Sequence, residues 1–332
     1  MDPIQRQDIR LTCRDGVTIA IRHVWNAQAP QGTGTPIVML HGTRIPGLSE
    51  FDLPVPNGSL AADLALRGHV AFVPDARGYG RSDRPAEMAL PPHHSTPLCR
   101  SMEITRDIEA AVEELCRLTG REQVALMGWG VGATIMLMYA TIRPERVSHL
   151  ILYNALYGGG SDHPRYRGHD LEDPDRPGRF NHAKYGGYAL NDPDMLIDKW
   201  DKSIPVDDKD SWRDPAVKAA FRQALIDGDP ESLRHDPPRY RSPNGMLEDS
   251  FVMGRGGKLV HANQVYAKVL IIRPGLDYFS RPEDIEALRA DLVNAPTVEY
   301  WEPENATHYI ILDRPERGRD AAIAKIVEFI RS

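Results

Sequence analysis

Asp277 and His308 are the residues of this 332-residue chain whose types and positions most directly suggest catalysis. Asp277 follows the apolar run VLIIRPG, and His308 follows the strand-like run TVEYWE within the segment ENATHYI. Loops at the carboxyl ends of parallel strands meet at one edge of an open α/β sheet, so we expect the two side chains to lie together. An aspartate that orients a histidine allows the imidazole to act as a general base.

A glycine-rich turn marks the place where such a base would act. The segment VALMGWGVGATIMLMYA (124–140) passes from an apolar strand into a helix through a G-x-G-x-G turn centred on Gly130. Small residues permit a tight, strained turn that pushes its central residue out over the sheet edge. The amide of Val131 then lies at a helix N-terminus, where it can stabilise an oxyanion. We expect a second oxyanion donor from the loop after PIVMLHG, with Thr43 as the candidate.

Short apolar strands alternate with helical segments over most of the chain. A hairpin centred on Asp15-Gly16 precedes the strand-like runs PIVMLHG, HVAFVP, QVALMGW, VSHLILYNA, AKVLIIRPG and TVEYWE. This alternation predicts an α/β fold with a mostly parallel central sheet and helices on both faces. It stops in a polar, proline-rich stretch. We therefore predict one core domain made of residues 1–157 and 264–332, with residues 158–263 inserted as a cap.

The chain resembles the α/β-hydrolase fold superfamily, in particular its capped esterase-like and lactonase-like members. The resemblance rests on LHG after the third strand, DARGYGRSD after the fourth, the elbow, GLD after the seventh and ATH after the eighth. It covers the chain outside the cap. It implies the family's acid at Asp277, its base at His308 and its oxyanion amides at Thr43 and Val131. The family's serine nucleophile has no counterpart, because position 130 is glycine.

Gly130 leaves three interpretations open. In the first, the chain is a serine hydrolase of esters or lactones whose serine has been replaced so that a bound substrate survives. In the second, the Asp277–His308 dyad acts on water or on the substrate, as in superfamily members with C–C hydrolase, lyase or cofactor-free oxygenase activity. In the third, the protein binds a ligand without catalysis. Ester or lactone hydrolysis is the leading hypothesis, because oxyanion donors beside an Asp–His pair suit acyl chemistry.

The pocket is predicted to be lined by residues near the elbow and by the cap. Arg44, in the long loop after the third strand, is a candidate contact for an anion, and Trp129 lies next to Gly130. Tyr153 and Tyr157 follow the sixth strand and are predicted to point towards the cap and line the pocket. The stretch RHDPPRYRSPNG (234–245) holds several arginines, for each of which a solvated surface is favoured over a substrate contact.

Composition limits the partners of the protein. The formal net charge of −7 gives no basic footprint for nucleic acid or an anionic membrane. Apolar runs stay shorter than the roughly 18–20 residues that span a bilayer, and the amino-terminal segment lacks the apolar core of a signal peptide. Three separated cysteines indicate free thiols, hence a cytoplasmic protein. We expect a small-molecule substrate, no cofactor and no metal, and leave assembly into a homo-oligomer open.

Overall fold

Ten strands are present in the computed structural model, which describes residues 3–29, 34–166 and 170–332. Eight of them form one sheet in the order β1-β2-β4-β3-β5-β6-β9-β10, and the other two pair separately. The strands are β1 (Ile4–Thr12), β2 (Thr18–Asn26), β3 (Ile37–Leu40), β4 (Ala71–Pro74), β5 (Val124–Trp129), β6 (Val147–Tyr153), β7 (Tyr188–Asn191), β8 (Tyr240–Pro243), β9 (Lys268–Ile272) and β10 (Val298–Trp301).

Pairing in the main sheet is antiparallel at one edge and parallel elsewhere. The predicted hairpin forms with β1 antiparallel to β2, and β2 runs antiparallel to β4. Every pairing from β4 through β3, β5, β6 and β9 to β10 is parallel. The predicted mostly parallel α/β sheet is therefore confirmed.

Ten α-helices accompany these strands in the described part of the chain. They are α1 (Gly47–Phe51), α2 (Leu60–Leu66), α3 (Ser101–Thr119), α4 (Val131–Ile142), α5 (His182–Tyr185), α6 (Asp194–Ser203), α7 (Pro215–Asp227), α8 (Gly245–Gly254), α9 (Pro282–Asp291) and α10 (Arg319–Ile330). None of these helices combines the length and the apolarity needed to cross a membrane.

The two faces of the sheet bury separate hydrophobic clusters. Successive side chains of a strand point to opposite faces, so Val38 and Leu40 of β3 join one cluster while Ile37 and Met39 join the other. Helices α3 and α4 contribute to the first cluster, and α2 and α10 contribute to the second. Burial on both faces explains why the sequences of the central strands β3, β4 and β5 are continuously apolar rather than alternating.

The segment between β6 and β9, here called the insertion, adds no strand to the main sheet. It contains helices α5 to α8 and the antiparallel pair β7 and β8. Helix α7 spans the run PAVKAAFRQALID. The β7–β8 pair was not predicted. Its strands lie roughly fifty residues apart along the chain, and such non-local pairing leaves no local hairpin pattern.

Candidate active site

The carboxyl ends of four parallel strands bring the predicted catalytic positions to one edge of the sheet. The loop after β3 carries Thr43, the turn after β5 carries Gly130, and the loops after β9 and β10 carry Asp277 and His308. Thr43, Gly130, Val131 and His308 line one pocket. The sequence motifs therefore converge in space at the edge where open α/β sheets place their sites.

Gly130 occupies a strained elbow between β5 and α4. Its backbone angles are φ 59° and ψ −120°, in a region that residues with a side chain rarely adopt. A Cβ atom added at Gly130 would meet Phe279 Cε1 at 3.7 Å, an ordinary van der Waals distance. The elbow thus has room for a small side chain.

Glycines on either side of Gly130 let the backbone segments approach closely. A Cβ atom at Gly132 would lie 2.4 Å from the carbonyl oxygen of His41. A Cβ atom at Gly128 would lie 2.3 Å from the carbonyl oxygen of Gly132. The lack of a side chain at Gly132 lets α4 pack against the loop after β3, and the lack of one at Gly128 lets α4 pack against β5. The Thr43 and Val131 amides thereby lie around one pocket.

The Asp277 carboxylate holds the His308 ring in place. His308 Nδ1 donates to Asp277 Oδ1 over 2.7 Å. The same carboxylate accepts the backbone N–H groups of Phe279 at 2.8 Å and Ser280 at 3.1 Å. Asp277 therefore selects the imidazole tautomer with its proton on Nδ1, and the lone pair of Nε2 is left as the basic atom.

The Nε2 atom of His308 accepts a hydrogen bond from Trp129. The indole Nε1 lies 3.0 Å from Nε2, and Trp129 is almost fully buried. Trp129 lines the pocket, as the sequence predicts for a residue beside the elbow. The Trp129 indole therefore lines the pocket and also occupies the lone pair of His308 Nε2, the atom that would accept a proton.

Two tyrosines predicted to line the pocket lie elsewhere. The Tyr153 hydroxyl donates to the carbonyl oxygen of His308 over 2.6 Å, so the side chain supports the histidine loop from inside the core. The Tyr157 hydroxyl donates to Asp291 Oδ2 over 2.6 Å and accepts the backbone N–H of Ala262. The buried hydroxyls find these partners on neighbouring loops and on α9, which the sequence around β6 does not reveal.

The two predicted oxyanion donors are available to a ligand. Among the described residues, neither Thr43 N–H nor Val131 N–H has a hydrogen-bond acceptor. Val131 is the first residue of α4, so its N–H points out of the helix N-terminus. Two such amides beside a histidine can stabilise the negative charge that develops on a carbonyl oxygen during acyl transfer.

Glu50, on the short helix α1, is a pocket residue that the sequence analysis missed. Its side chain is fully buried, and Oε2 accepts the N–H of Gly42 over 3.0 Å while Oε1 has no partner. Burial raises the pKa of Glu50 well above its ordinary value, which favours the neutral carboxyl. The sequence gives no signal that this glutamate is buried, because its segment carries no clear helical or strand pattern. Its burial becomes evident only from the packing of α1 in the structure.

The stability of the Glu50→Gln variant relative to the native protein is expected to increase as pH rises. The raised pKa of Glu50 means that its contribution to stability is present below the ordinary carboxyl pKa and is lost as pH rises towards the folded-state pKa. Thermal unfolding at about pH 4 and about pH 8 should show a variant-minus-native Tm difference that grows by at least about 2 °C. Exposed Glu122→Gln is the matched control, and an equal change there would contradict the assignment.

Three cations line the pocket, and two of them come from the insertion. Arg44 lies in the loop after β3, Arg165 precedes α5, and Lys199 lies on α6. Arg44 was the predicted anion contact, and its backbone is left-handed, with φ 74°. The arginines of residues 234–245 instead pair with carboxylates of the insertion: Arg234 with Glu231, Arg239 with Asp192 and the largely buried Arg241 with Asp229.

Across the described residues, no group of three or more His, Cys, Asp or Glu side chains is arranged to hold a metal ion. Cys13, Cys99 and Cys116 are buried and unpaired. Burial raises the pKa of each thiol, which disfavours the nucleophilic thiolate. None of them lines the pocket around Gly130, so no cysteine stands in for the missing serine.

Comparison with known proteins places this geometry in context. A family model described as the alpha/beta hydrolase fold matches residues 35–315. The chain is 32% identical over 123 residues to epoxide hydrolase 3 of Siraitia grosvenorii and 22% identical over 152 residues to human lipase member M. These alignments cover 37% and 45% of this chain and 33% and 36% of the relatives, so the chain matches about a third of the length of each.

Solved structures share the fold over nearly the whole chain. An esterase from Exiguobacterium antarcticum aligns with a TM-score of 0.60 and 18% identity, covering 98% of this chain and 100% of the esterase. An epoxide hydrolase from Vigna radiata aligns with a TM-score of 0.60 and 17% identity, covering 100% of this chain and 99% of that one. At these identities the likeness concerns the fold.

Proposed function

The chain belongs to the α/β-hydrolase fold family, and from this premise we propose that it hydrolyses a small or medium-sized organic ester or lactone, with water as the direct nucleophile. The observation that carries the proposal is one pocket that holds both the Asp277–His308 hydrogen bond and two amides without acceptors. A general base and an oxyanion site are the two parts that acyl transfer to water requires.

In the proposed mechanism, the ester carbonyl oxygen accepts the N–H groups of Thr43 and Val131. A water molecule above Gly130 attacks the carbonyl carbon, and His308 Nε2 takes its proton. The tetrahedral oxyanion is stabilised by the two amides, and the imidazolium by Asp277. Collapse breaks the bond to the alcohol oxygen, which takes the proton from His308 and leaves as the alcohol.

Gly130 supports water rather than a side chain as nucleophile. The open space above its Cα would otherwise be filled by the side chain of an elbow residue, and glycine itself supplies no attacking atom. The attacking water must also displace the Trp129 indole from His308 Nε2. That exchange costs about 1 kcal/mol, the net worth of one hydrogen bond, and the bond to water offsets it.

The insertion is proposed to act as the cap of this site. It supplies Arg165, Tyr166, Lys199, Leu247 and Ser250 to the wall of the pocket that also holds Gly130 and His308. Residues contributed by a segment outside the sheet can change substrate choice without disturbing the dyad.

Turnover of para-nitrophenyl esters tests the proposal. We expect steady release of para-nitrophenol above the rate with heat-denatured protein, with no burst and no acyl adduct in the intact mass, because no side chain is acylated. A burst with an adduct would show a covalent nucleophile elsewhere in the chain. Release no faster than the denatured control across acyl lengths would contradict ester hydrolysis.

A second candidate function is ligand binding without turnover. The observation that favours it is the hydrogen bond from Trp129 to His308 Nε2, which occupies the atom that a general base needs. Under this candidate, the protein would bind an ester and return it unchanged in the same assay.

A further inference from the structure

A cluster of three cations, Arg44, Arg165 and Lys199, stands where the catalytic pocket opens into a larger cavity. The outer cavity has a volume of about 880 Å³ and is also lined by Leu171, Tyr185 and Lys202. All three cations line both spaces, as do Leu247 and Tyr278. A substrate that reaches the dyad from the outer cavity must therefore pass these cations.

The cluster lacks a counter-ion within the described ranges. No carboxylate oxygen lies within 4.0 Å of a charged nitrogen of Arg44, Arg165 or Lys199 in these ranges, whereas most other arginines of the insertion form ion pairs. Arg44 Nε is buried without an acceptor, and Nη1 is 3.6 Å from the sulfur of Met195. A buried guanidinium nitrogen without an acceptor carries a desolvation cost that a bound anion would remove.

The surrounding titratable groups favour their neutral forms. Burial raises the pKa of Tyr185 and Tyr278 to about 12 and lowers the pKa of His163, so these three groups are uncharged near pH 7. Burial also raises the pKa of Glu50 well above its ordinary value, which favours the neutral carboxyl. Burial, together with Arg165, Arg44 and Lys202, lowers the pKa of Lys199 to about 7. Near pH 7 the cluster thus carries the two arginine charges and part of the Lys199 charge, and a bound anion would favour the fully protonated lysine.

We propose that Arg44, Arg165 and Lys199 bind an oxyanion group, a carboxylate or a phosphate, carried by the substrate at a distance from its scissile carbonyl. The inference deepens the proposed function and rests on it. The substrate is then an ester with an anionic tail, whose apolar middle packs against Leu247 and Tyr278. Arginine forks and a lysine together suit such a group, because they donate several charge-assisted hydrogen bonds.

A matched pair of anilides tests the anion site without turnover. Glutaric acid monoanilide and pentanoic anilide differ in a terminal carboxylate against a methyl group. Calorimetry on the native chain should show about 10–100-fold tighter binding of the carboxylate ligand, as expected for hydrogen bonds to a charged group. The anilide of phosphooxybutanoate provides the phosphate arm, and a preference for either anion over the methyl ligand supports the proposal and identifies the oxyanion.

Variants locate the effect in the cluster. Lys199→Met and Arg165→Met should each remove most of the preference for the anion, while Lys199→Arg should retain it because the charge is kept. Lys218→Met, on α7, removes one positive charge from a position that lines neither cavity, and it should leave the preference unchanged. Equal affinities in the native chain, or an equal loss in Lys218→Met, would overturn the proposal.

The two proposals fail separately. Binding that favours the anion in a protein that hydrolyses no para-nitrophenyl ester would contradict the proposed function and leave the anion site in place. Hydrolysis of neutral para-nitrophenyl esters, with no preference for either anionic anilide, would overturn the anion site and leave the hydrolase.

Discussion

Replacement of His308 by alanine should lower kcat/KM for a para-nitrophenyl ester by about 10²–10⁴-fold, the contribution of a positioned general base. The variant removes the Nε2 atom that takes the proton from water, while the amides of Thr43 and Val131 remain. It also leaves the Trp129 indole N–H without an acceptor, which costs about 1–3 kcal/mol in stability, while the Asp277 carboxylate keeps the N–H groups of Phe279 and Ser280. The measurement is steady-state ester hydrolysis at saturating and low substrate, with thermal unfolding of each variant.

A second buried histidine separates catalysis from folding. His149, on β6, packs edge-on against Phe329 and lies away from the pocket. His149→Ala should lower Tm but leave kcat/KM within about threefold of native, since it touches no reacting atom. If the two alanine variants lost activity equally, His308 would be acting through stability. Undiminished hydrolysis in His308→Ala would place the chemistry outside this pocket.

The part of the site that the sequence predicts is the part that parallel strands position. Asp277, Thr43 and Val131 each follow a strand whose continuous apolar run marks it as buried on both faces, and His308 follows β10, the half-buried strand at the edge of the sheet. Once those runs are recognised as parallel, their carboxyl ends must meet at one edge. The sheet itself brings these loops together, so their proximity could be predicted without information about the packing of distant segments.

The rest of the pocket depends on contacts between distant segments. Arg165 and Lys199 lie on an insertion whose two strands pair across roughly fifty residues, and no local pattern says which of its many charges turn inward. The arginines of residues 234–245, for which a surface position was favoured over a substrate contact, are paired with carboxylates. Tyr153 ends β6 and Tyr157 follows it, yet their hydroxyls bond to the His308 carbonyl oxygen and to Asp291. The positions of these side chains depend on which hydrogen-bond or ion-pair partners their polar groups find in the folded structure.

The Gly130→Ser variant should acquire a covalent adduct with a fluorophosphonate probe, whereas the native chain should not be labelled at this position. The serine Cβ meets only Phe279 at 3.7 Å, and its hydroxyl would lie in the pocket that holds His308 and the two oxyanion amides. The φ of 59° costs about 1–3 kcal/mol of folding free energy for a residue with a side chain. The close packing around the elbow must offset this cost. Esterase kcat should also rise by at least about 10²-fold, because a positioned serine is a stronger nucleophile than water.

Matched variants make the labelling result specific, and intact mass provides the measurement. Gly130→Ala carries the same backbone strain without a hydroxyl, and the double variant Gly130→Ser, His308→Ala carries the hydroxyl without its base, so neither should be labelled. Labelling of Gly130→Ser alone would show that the machinery of a serine hydrolase is complete apart from one hydroxymethyl group, which favours an ester or lactone hydrolase whose nucleophile has been replaced. A folded Gly130→Ser variant that stays unlabelled would mean that Trp129 retains the Nε2 atom of His308 and the elbow cannot activate a serine. The dyad would then act on water or on the substrate itself, as the native glycine requires.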